Sequence, residues 1–177
     1  MPFGLILACL VVLGSKGPVF YKQQRVGKGN QDFSLLKFRS MRTGSDKKGL
    51  LTVGNSDSRI TSTGVFLRKY KLDELPQLIN VLLGDMSLVG PRPEVRKYVD
   101  MYSKEQLKVL SVRPGITDYA SLEYIDEDAL LGASSDPEKT YIQAIMPKKL
   151  ELNLRYVQEQ STLVDIKLIF ATIKKIL

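Results

Sequence analysis

The stretch 68–94 constrains the fold most, because it joins a helical pattern of apolar residues to a dense group of charges. The apolar residues that recur at helical spacing are Leu75, Leu78, Ile79, Leu82 and Leu83. This pattern predicts a helix that Asp73 caps, that tolerates Pro76 in its first turn and that stops at Gly84. Asp73 and Glu74 would then stand together at a helix N-terminus. The cations on either side are Arg68, Lys69, Lys71 and Arg92.

The acidic pair has two interpretations. In the ordinary one, Asp73 caps the helix and Glu74 offsets the positive end of the helix dipole. In the other, the pair forms an active site, because a helix N-terminus and nearby cations keep a carboxylate ionised and also attract phosphate. An aspartate that attacks phosphorus needs such a setting.

Composition narrows the class of protein. The chain has 177 residues, which suits one domain with a real core, and a net charge of +7 without any histidine. Acid–base chemistry would therefore fall to other groups, mainly carboxylates, lysine or tyrosine. The single cysteine, Cys9, excludes an internal disulfide and fits a reducing compartment. The positive charge indicates an anionic partner: nucleic acid, a phosphorylated ligand or an acidic membrane surface.

Element patterns predict an α+β fold, a compact, helix-rich single domain with a short β-hairpin. Two strands, 19–26 and 33–38, flank a Gly-Lys-Gly-Asn turn. Helices are predicted at 94–112, at 147–160 and from Ser161 to the end. The apolar run 3–13 is too short to cross a bilayer, which takes about 20 residues. It is either a buried core helix or a helix that dips into one leaflet.

Further charged groups flank these elements. Lys37 and Arg39 fall in a basic run that fits either a solvated edge or an anion site. Prolines on both sides of Arg92 stiffen the backbone there, which fits either a rigid connector whose arginine points to solvent or a fixed contact with phosphate. Residues 42–63 have the composition of a mobile surface loop. The segment 126–128, Asp-Glu-Asp, is expected to be a solvated acidic loop rather than a metal motif.

Four motifs in order carry a resemblance to a known family. They are Lys-Phe-Arg-Ser-Met at 37–41, Asp-Glu-Leu-Pro-Gln-Leu at 73–78, Gly-Asp-Met-Ser-Leu-Val-Gly-Pro-Arg-Pro at 84–93 and Arg-Pro-Gly-Ile-Thr at 113–117. Together they resemble the bacterial sugar transferase family of small monotopic phosphoglycosyl transferases. The match weakens after Thr117, and Asn153 stands where relatives usually have aspartate.

The resemblance implies an activity. A nucleoside diphosphate sugar, expected to be a UDP-sugar, would give its sugar 1-phosphate to a polyprenol phosphate such as undecaprenyl phosphate, releasing UMP and starting glycoconjugate synthesis. Asp73 would form a covalent phosphosugar intermediate, and Glu74 would hold Mg²⁺. The residues expected to bind substrate phosphates are Lys37, Arg39, Arg68, Arg92 and Arg113.

The resemblance also implies a membrane anchor. Residues 1–16 would be a membrane-associated helical segment, and 17–177 the catalytic domain. Pro2 is similar to the proline at the break of a re-entrant helix, so either the anchor is truncated by about half or this member of the family anchors differently. The expected location is the cytoplasmic face of a bacterial inner membrane.

Some questions stay open at this stage. The alternative function is a non-enzymatic basic protein that binds membranes or nucleic acid, although no standard nucleic-acid motif is visible. The last helix, basic and amphipathic, fits either a bilayer surface or packing onto the domain. The sequence does not reveal the sugar or whether the chain forms a homo-oligomer.

Overall fold

The computed structural model describes residues 2–45, 51 and 57–176. It has the predicted α+β character. The helices are α1 (Pro2–Gly14), α2 (Ser62–Lys69), α3 (Gln77–Leu83), α4 (Arg96–Val99), α5 (Tyr119–Glu123), α6 (Glu127–Gly132), α7 (Pro137–Thr140), α8 (Met146–Glu159) and α9 (Thr162–Ile176). The strands are β1 (Phe20–Val26), β2 (Asp32–Phe38), β3 (Ser87–Val89) and β4 (Gly115–Thr117).

The predicted hairpin is confirmed. Strands β1 and β2 pair antiparallel, with Phe20 opposite Phe38 and Val26 opposite Asp32. The turn between them has positive φ angles at Gly29 (68°) and at its neighbour Asn30 (64°), a conformation that these two residue types tolerate best.

A second, parallel pair joins distant parts of the chain. Ser87 of β3 lies opposite Gly115 of β4, and Val89 lies opposite Thr117. A Cβ atom on Gly115 would lie 2.1 Å from the Gly90 nitrogen, so only glycine permits this approach. The pair brings the Pro-Arg-Pro segment beside the chain that follows β4.

Helix α1 packs against the domain by one face. Leu7 and Val11 are buried in a cluster with Phe38 and Leu67. The exposed apolar residues of α1 are Leu5, Ile6, Leu10, Val12 and Leu13. None of the helices within the described residues is long and apolar enough to cross a membrane. Insertion of α1 into one leaflet stays a prediction.

Helix α3 ends at Gly84 as predicted, with φ of 87°. Its apolar residues face outward, however, and the buried positions are polar: Gln77 and Asn80 are each 1 % exposed. The Asn80 side chain accepts from the Leu36 N–H at 3.0 Å and donates to the Ser34 carbonyl at 2.9 Å. Asn80 therefore joins α3 to β2 by hydrogen bonds rather than by apolar packing.

The single helix predicted at 94–112 is wrong. The chain forms only α4 there, followed by a separate 3₁₀ turn at Gln106–Ser111. Ser103 and Gln106 explain the break, because each side chain bonds the backbone N–H of the other, at 3.2 and 2.8 Å. This reciprocal capping box starts a new turn and prevents continuation of the first.

The helix predicted at 147–160 is confirmed as α8, which contributes Met146 and Leu150 to the largest buried cluster. The other buried members are Val95, Tyr98, Val109, Leu131, Tyr141 and Ile145. Helix α9 contacts the domain through Leu168, while Phe170 on its outer side is 68 % exposed. Of the predicted loop 42–63, residues 46–50 and 52–56 lie outside the described residues, and α2 begins before the loop was expected to end.

Candidate active site

A cavity of about 1500 Å³ contains the acidic pair. Asp73 and Glu74 line one side of it, together with Lys37 from β2, Arg68 from α2 and Arg92 from the Pro-Arg-Pro segment. Residues of α5, α6, α8 and α9 line other parts of it. Six of the seven predicted site residues therefore line one cavity: Lys37, Arg39, Arg68, Asp73, Glu74 and Arg92.

Asp73 does not cap α3, which corrects the prediction. It lies inside a separate 3₁₀ turn, Leu72–Glu74, that precedes the helix. Lys71 opens this turn in the left-handed conformation, with φ of 54°, and the Leu75 N–H closes it on the Leu72 carbonyl at 3.3 Å. The chain therefore changes direction before Pro76, and the acidic pair lies on this turn instead of at the α3 terminus.

The Asp73 side chain is buried but not bonded. The residue is 5 % exposed, and no donor among the described residues makes a hydrogen bond to its carboxylate. Burial raises the pKa of Asp73 above its usual value, while the charges of Lys37, Arg68 and Lys71 oppose that rise. A carboxylate that is desolvated and lacks hydrogen bonds keeps its lone pairs available for attack on an electrophile.

Glu74 is held very differently. Its carboxylate accepts from the Lys37 ammonium at 3.1 Å and from both terminal nitrogens of Arg92, one of them at 3.0 Å. Burial works against ionisation, but the charges and hydrogen bonds of Arg92 and Lys37 outweigh it and hold the pKa of Glu74 well below its usual value. Glu74 in turn raises the pKa of Arg92. Burial lowers the pKa of Lys37, which Glu74 opposes.

Arg68 is paired within the chain. Its guanidinium lies 2.5 Å from the carboxylate of Asp128 on α6. Glu127, beside Asp128, is 2.6 Å from the ammonium of Lys149. The expectation of a solvated acidic loop at 126–128 is therefore wrong: two of its carboxylates pair with cations that line the cavity.

Two predicted phosphate-binding residues lie elsewhere or have other partners. The Arg39 guanidinium donates to several oxygens at the end of α1, including the Pro18 carbonyl at 2.7 Å and the Ser15 carbonyl at 2.8 Å. Arg113 is exposed and is not among the residues that line the cavity. The geometry therefore gives Arg39 a structural task and places Arg113 outside the site.

Sequence reasoning did not assign to the site four residues that shape it. Asp118, Glu127 and Asp128 lie far along the chain from the acidic pair, and Lys149 is farther still. No local spacing connects them with residues 68–94. The three consecutive acids at 126–128 were the one visible signal, and only the fold shows their partners, Arg68 on α2 and Lys149 on α8.

The donor set can be compared with what Mg²⁺ needs. Among the described residues, no three acidic, histidine or cysteine side chains gather into a metal site. Mg²⁺ in nucleotide enzymes is commonly held by one or two carboxylates plus substrate phosphates. Asp73 and Glu74 fit that second arrangement, although both oxygens of Glu74 already contact cations.

Two adjacent carboxylates with several cations beside them in a large cavity are typical of an enzyme site for phosphorylated substrates. The comparison with known families agrees with this class. The family model described as bacterial sugar transferase matches residues 1–177, and the chain belongs to that family.

Individual relatives extend the comparison. The chain is 41 % identical to the UDP-N-acetylgalactosamine-undecaprenyl-phosphate N-acetylgalactosaminephosphotransferase of Aeromonas hydrophila, over 99 % of this chain and 39 % of the relative. It is 38 % identical to the uncharacterized sugar transferase EpsL of Bacillus subtilis, over 98 % and 78 %. It is 37 % identical to the UDP-glucose:undecaprenyl-phosphate glucose-1-phosphate transferase of Escherichia coli, over 96 % and 36 %. The chain thus spans less than half of two of these relatives.

Proposed function

We propose that this chain transfers a sugar 1-phosphate from a UDP-sugar to a polyprenol phosphate, with undecaprenyl phosphate as the acceptor. The observation that carries the proposal is the Asp73 carboxylate, which is buried, lacks a hydrogen-bond donor among the described residues and lies near Lys37, Arg68 and Lys71. Family membership supports it, since two relatives are named for reactions of this type. Those relatives are named for different sugars, so the proposal does not specify the sugar.

In the first step, an Asp73 carboxylate oxygen attacks the phosphorus that bears the sugar. The bond between this phosphorus and the oxygen that bridges to the uridylate phosphate breaks, and UMP leaves with that oxygen. The enzyme then carries an acyl phosphate linked to the sugar. Because an ionised carboxylate needs no base, the lack of histidine is consistent with this step.

In the second step, a phosphate oxygen of the polyprenol phosphate attacks the same phosphorus. The bond to Asp73 breaks, the carboxylate is regenerated, and the product is a polyprenyl diphosphate sugar. Two steps suit a reaction whose donor comes from water and whose acceptor comes from the membrane.

Cations would orient both substrates. Lys37 and Arg92 both bond Glu74, and Arg68 lines the same cavity. Fixed guanidinium and ammonium groups stabilise the charge that develops on transferred and leaving phosphates. We leave Arg39 and Arg113 out of this group, because the first is bonded to the end of α1 and the second lies outside the cavity.

We also propose that Glu74 is the protein ligand of a Mg²⁺ ion that binds together with the donor diphosphate. When bound, such an ion supplies positive charge beside the phosphates. Glu74 would have to exchange part of its contact with Lys37 and Arg92 for the ion. A titration of activity against Mg²⁺, in the wild type and in Glu74→Gln, tests this. If the two curves have the same midpoint, Glu74 does not bind the ion and only pairs with Lys37 and Arg92.

The location we propose is the cytoplasmic face of a bacterial inner membrane, with residues 1–16 as the membrane-associated segment and 17–177 as the catalytic domain. Support comes from the exposed apolar face of α1, where Leu13 is 84 % exposed, and from that of α9, where Leu163 is 72 % exposed. Lysines at the end of α9 would favour an anionic surface. Flotation with vesicles that contain anionic lipid tests this location.

The central experiment is an intact-mass measurement after incubation with a panel of UDP-sugars and Mg²⁺. A covalent sugar-phosphate adduct is expected on the wild type and absent from Asp73→Asn, because an amide is a poor nucleophile. Asp136→Asn, a change at an exposed helix cap, is the matched control and should form the adduct. Product formation without any adduct at position 73 would refute the mechanism.

The same preparation separates the proposal from its rival, a basic protein that binds nucleic acid. Non-specific nucleic-acid binding rests on phosphate contacts and weakens steeply with salt. Release of UMP, with no oligonucleotide binding in moderate salt, is the result that the proposal requires. Oligonucleotide binding without UMP release would favour the rival.

A further inference from the structure

A buried carboxylate lies just behind the wall of the cavity. Asp118 directly follows β4, and the residue is 0 % exposed. One of its oxygens accepts from the Ser121 backbone N–H at 2.6 Å, which makes Asp118 the N-cap of α5. The other accepts from the Arg92 backbone N–H at 3.2 Å. A single side chain thus connects the start of α5 with the Pro-Arg-Pro segment.

Capping alone does not explain this arrangement. A cap needs one side-chain oxygen, which serine also provides, and caps work well in solvent. Asp136 illustrates this, since it caps α7 from an exposed position and accepts from the Lys139 N–H at 3.0 Å. Burying a carboxylate is costly unless its oxygens are bonded. The second oxygen of Asp118, directed to Arg92, therefore calls for its own explanation.

The backbone on both sides of Arg92 is fixed. Pro93 limits the conformations that Arg92 can adopt, and the Pro91 carbonyl accepts from the Gly115 N–H at 3.1 Å. The Arg92 N–H is the one backbone N–H between Pro91 and Pro93, and it donates to Asp118. With its backbone fixed, Arg92 extends its guanidinium to both oxygens of Glu74.

We propose that Asp118 is a positioning residue, which holds the Arg92 backbone so that the guanidinium meets Glu74 and the substrate phosphates at one fixed place. Asp118 does not line the cavity and so acts only through Arg92. The part that concerns substrate rests on the function proposed above. The part that concerns Arg92 and Glu74 stands on the contacts alone.

The test uses Asp118→Ser, which keeps a cap oxygen for Ser121 and removes the oxygen that holds Arg92. The first readout is the ¹⁵N NMR spectrum of the arginine side chains, which needs no activity. We expect the Arg92 guanidinium signals to lose the shift and slow rotation that pairing with Glu74 causes. The signals of Arg39 should stay in place as an internal reference. Unchanged Arg92 signals would overturn the proposal.

The second readout is the rate of UMP release. We expect kcat/KM to fall about tenfold, as is common for residues that orient a functional group. Adding Arg92→Lys should then cost much less than it does alone, because both changes displace the same cation. Fully additive losses would overturn the proposal. Asp136→Ser, the matched cap control, should change neither readout.

Two further arms keep the outcome decisive. If Asp118→Ser does not fold, Asp118→Asn keeps the size of the side chain and is subjected to both measurements, since its amide can oppose the Arg92 N–H. If the wild type releases no UMP, the proposed function fails, and the NMR readout still decides whether Asp118 positions Arg92.

Discussion

Replacing Glu74 by glutamine should destabilise the protein strongly. The carboxylate is bonded by Lys37 at 3.1 Å and by two nitrogens of Arg92, and only 15 % of its side chain is exposed. Glutamine offers one acceptor oxygen and turns an NH₂ group toward the cations. Two positive charges then lose their common counter-charge.

The magnitude follows from the burial of the partners. Removing one partner of a buried ion pair costs about 3–5 kcal/mol. Arg92 is 32 % exposed and Lys37 is 17 % exposed, so water partly solvates the remaining charges. A loss of about 2–3 kcal/mol in the free energy of unfolding is the result, which for a domain of this size lowers Tm by roughly 5–10 °C.

The assay is thermal unfolding of the wild type and Glu74→Gln over a range of pH. Because the folded-state pKa of Glu74 lies well below its usual value of 4.5, its ionised form stabilises the fold at all pH above that value. The stabilisation is lost as the pH falls through the folded pKa. The difference in Tm should therefore be constant near neutral pH and shrink below about pH 4.5.

Glu138→Gln is the matched control, since Glu138 pairs with Lys97 and both side chains are 49 % exposed. Its effect should stay within about 0.5 kcal/mol, as for most surface pairs. A Glu74→Gln variant that melts within about 1 °C of the wild type at pH 7 would refute the idea that the cation cluster stabilises the fold.

Three further changes probe neighbouring contacts. Arg39→Met should lower the free energy of unfolding by at least about 3 kcal/mol in urea denaturation, because the carbonyls at the end of α1 lose a buried charged donor. Arg155→Met, at an exposed arginine, serves as the control. A loss below about 1 kcal/mol for Arg39→Met would contradict this reasoning. Asn80→Ala should cost about 2–3 kcal/mol in the same assay, since the bonds between α3 and β2 disappear, and a neutral result would argue against them. Asp128→Asn should tighten UMP binding about threefold by calorimetry, because Arg68 loses a competing carboxylate, and weaker binding would show that the pair supports the site.

Local structure could be predicted from the sequence wherever the residues of one short segment determine it. The hairpin follows from two strand patterns around a turn whose glycine and asparagine tolerate positive φ. The stop of α3 at Gly84 follows from the same property of glycine. The acidic pair was visible together with Arg68 and Lys71, because these residues are close together in the chain; Lys37, which bonds Glu74, is distant in sequence and came only from the family motif.

The position of Asp73 could not be predicted from the sequence. Periodicity showed that a helix follows, but it could not show that Lys71 would adopt a left-handed conformation and form a separate turn. Such a conformation is unusual for lysine, and it is held by the surrounding structure rather than by the residue itself. The difference matters chemically, since a capping aspartate would accept from backbone N–H groups, whereas none of the residues that the structure describes donates to Asp73.

The buried face of helix α3 could not be predicted from the hydrophobic pattern. A leucine-rich helix is expected to bury its apolar face, yet Leu82 is 86 % exposed and Asn80 is 1 % exposed. The helix is held instead by bonds from Asn80 to the strand that carries Lys37, and by the turn that carries the acidic pair. An outward apolar face is costly in water, but it would be favourable against lipid. If the acceptor is a polyprenol phosphate, the segment next to Asp73, the proposed nucleophile, would meet the membrane. The exposed leucines of α3 and the buried Asp73 are then two consequences of one requirement: a phosphorylated lipid must reach a carboxylate that lies inside the cavity.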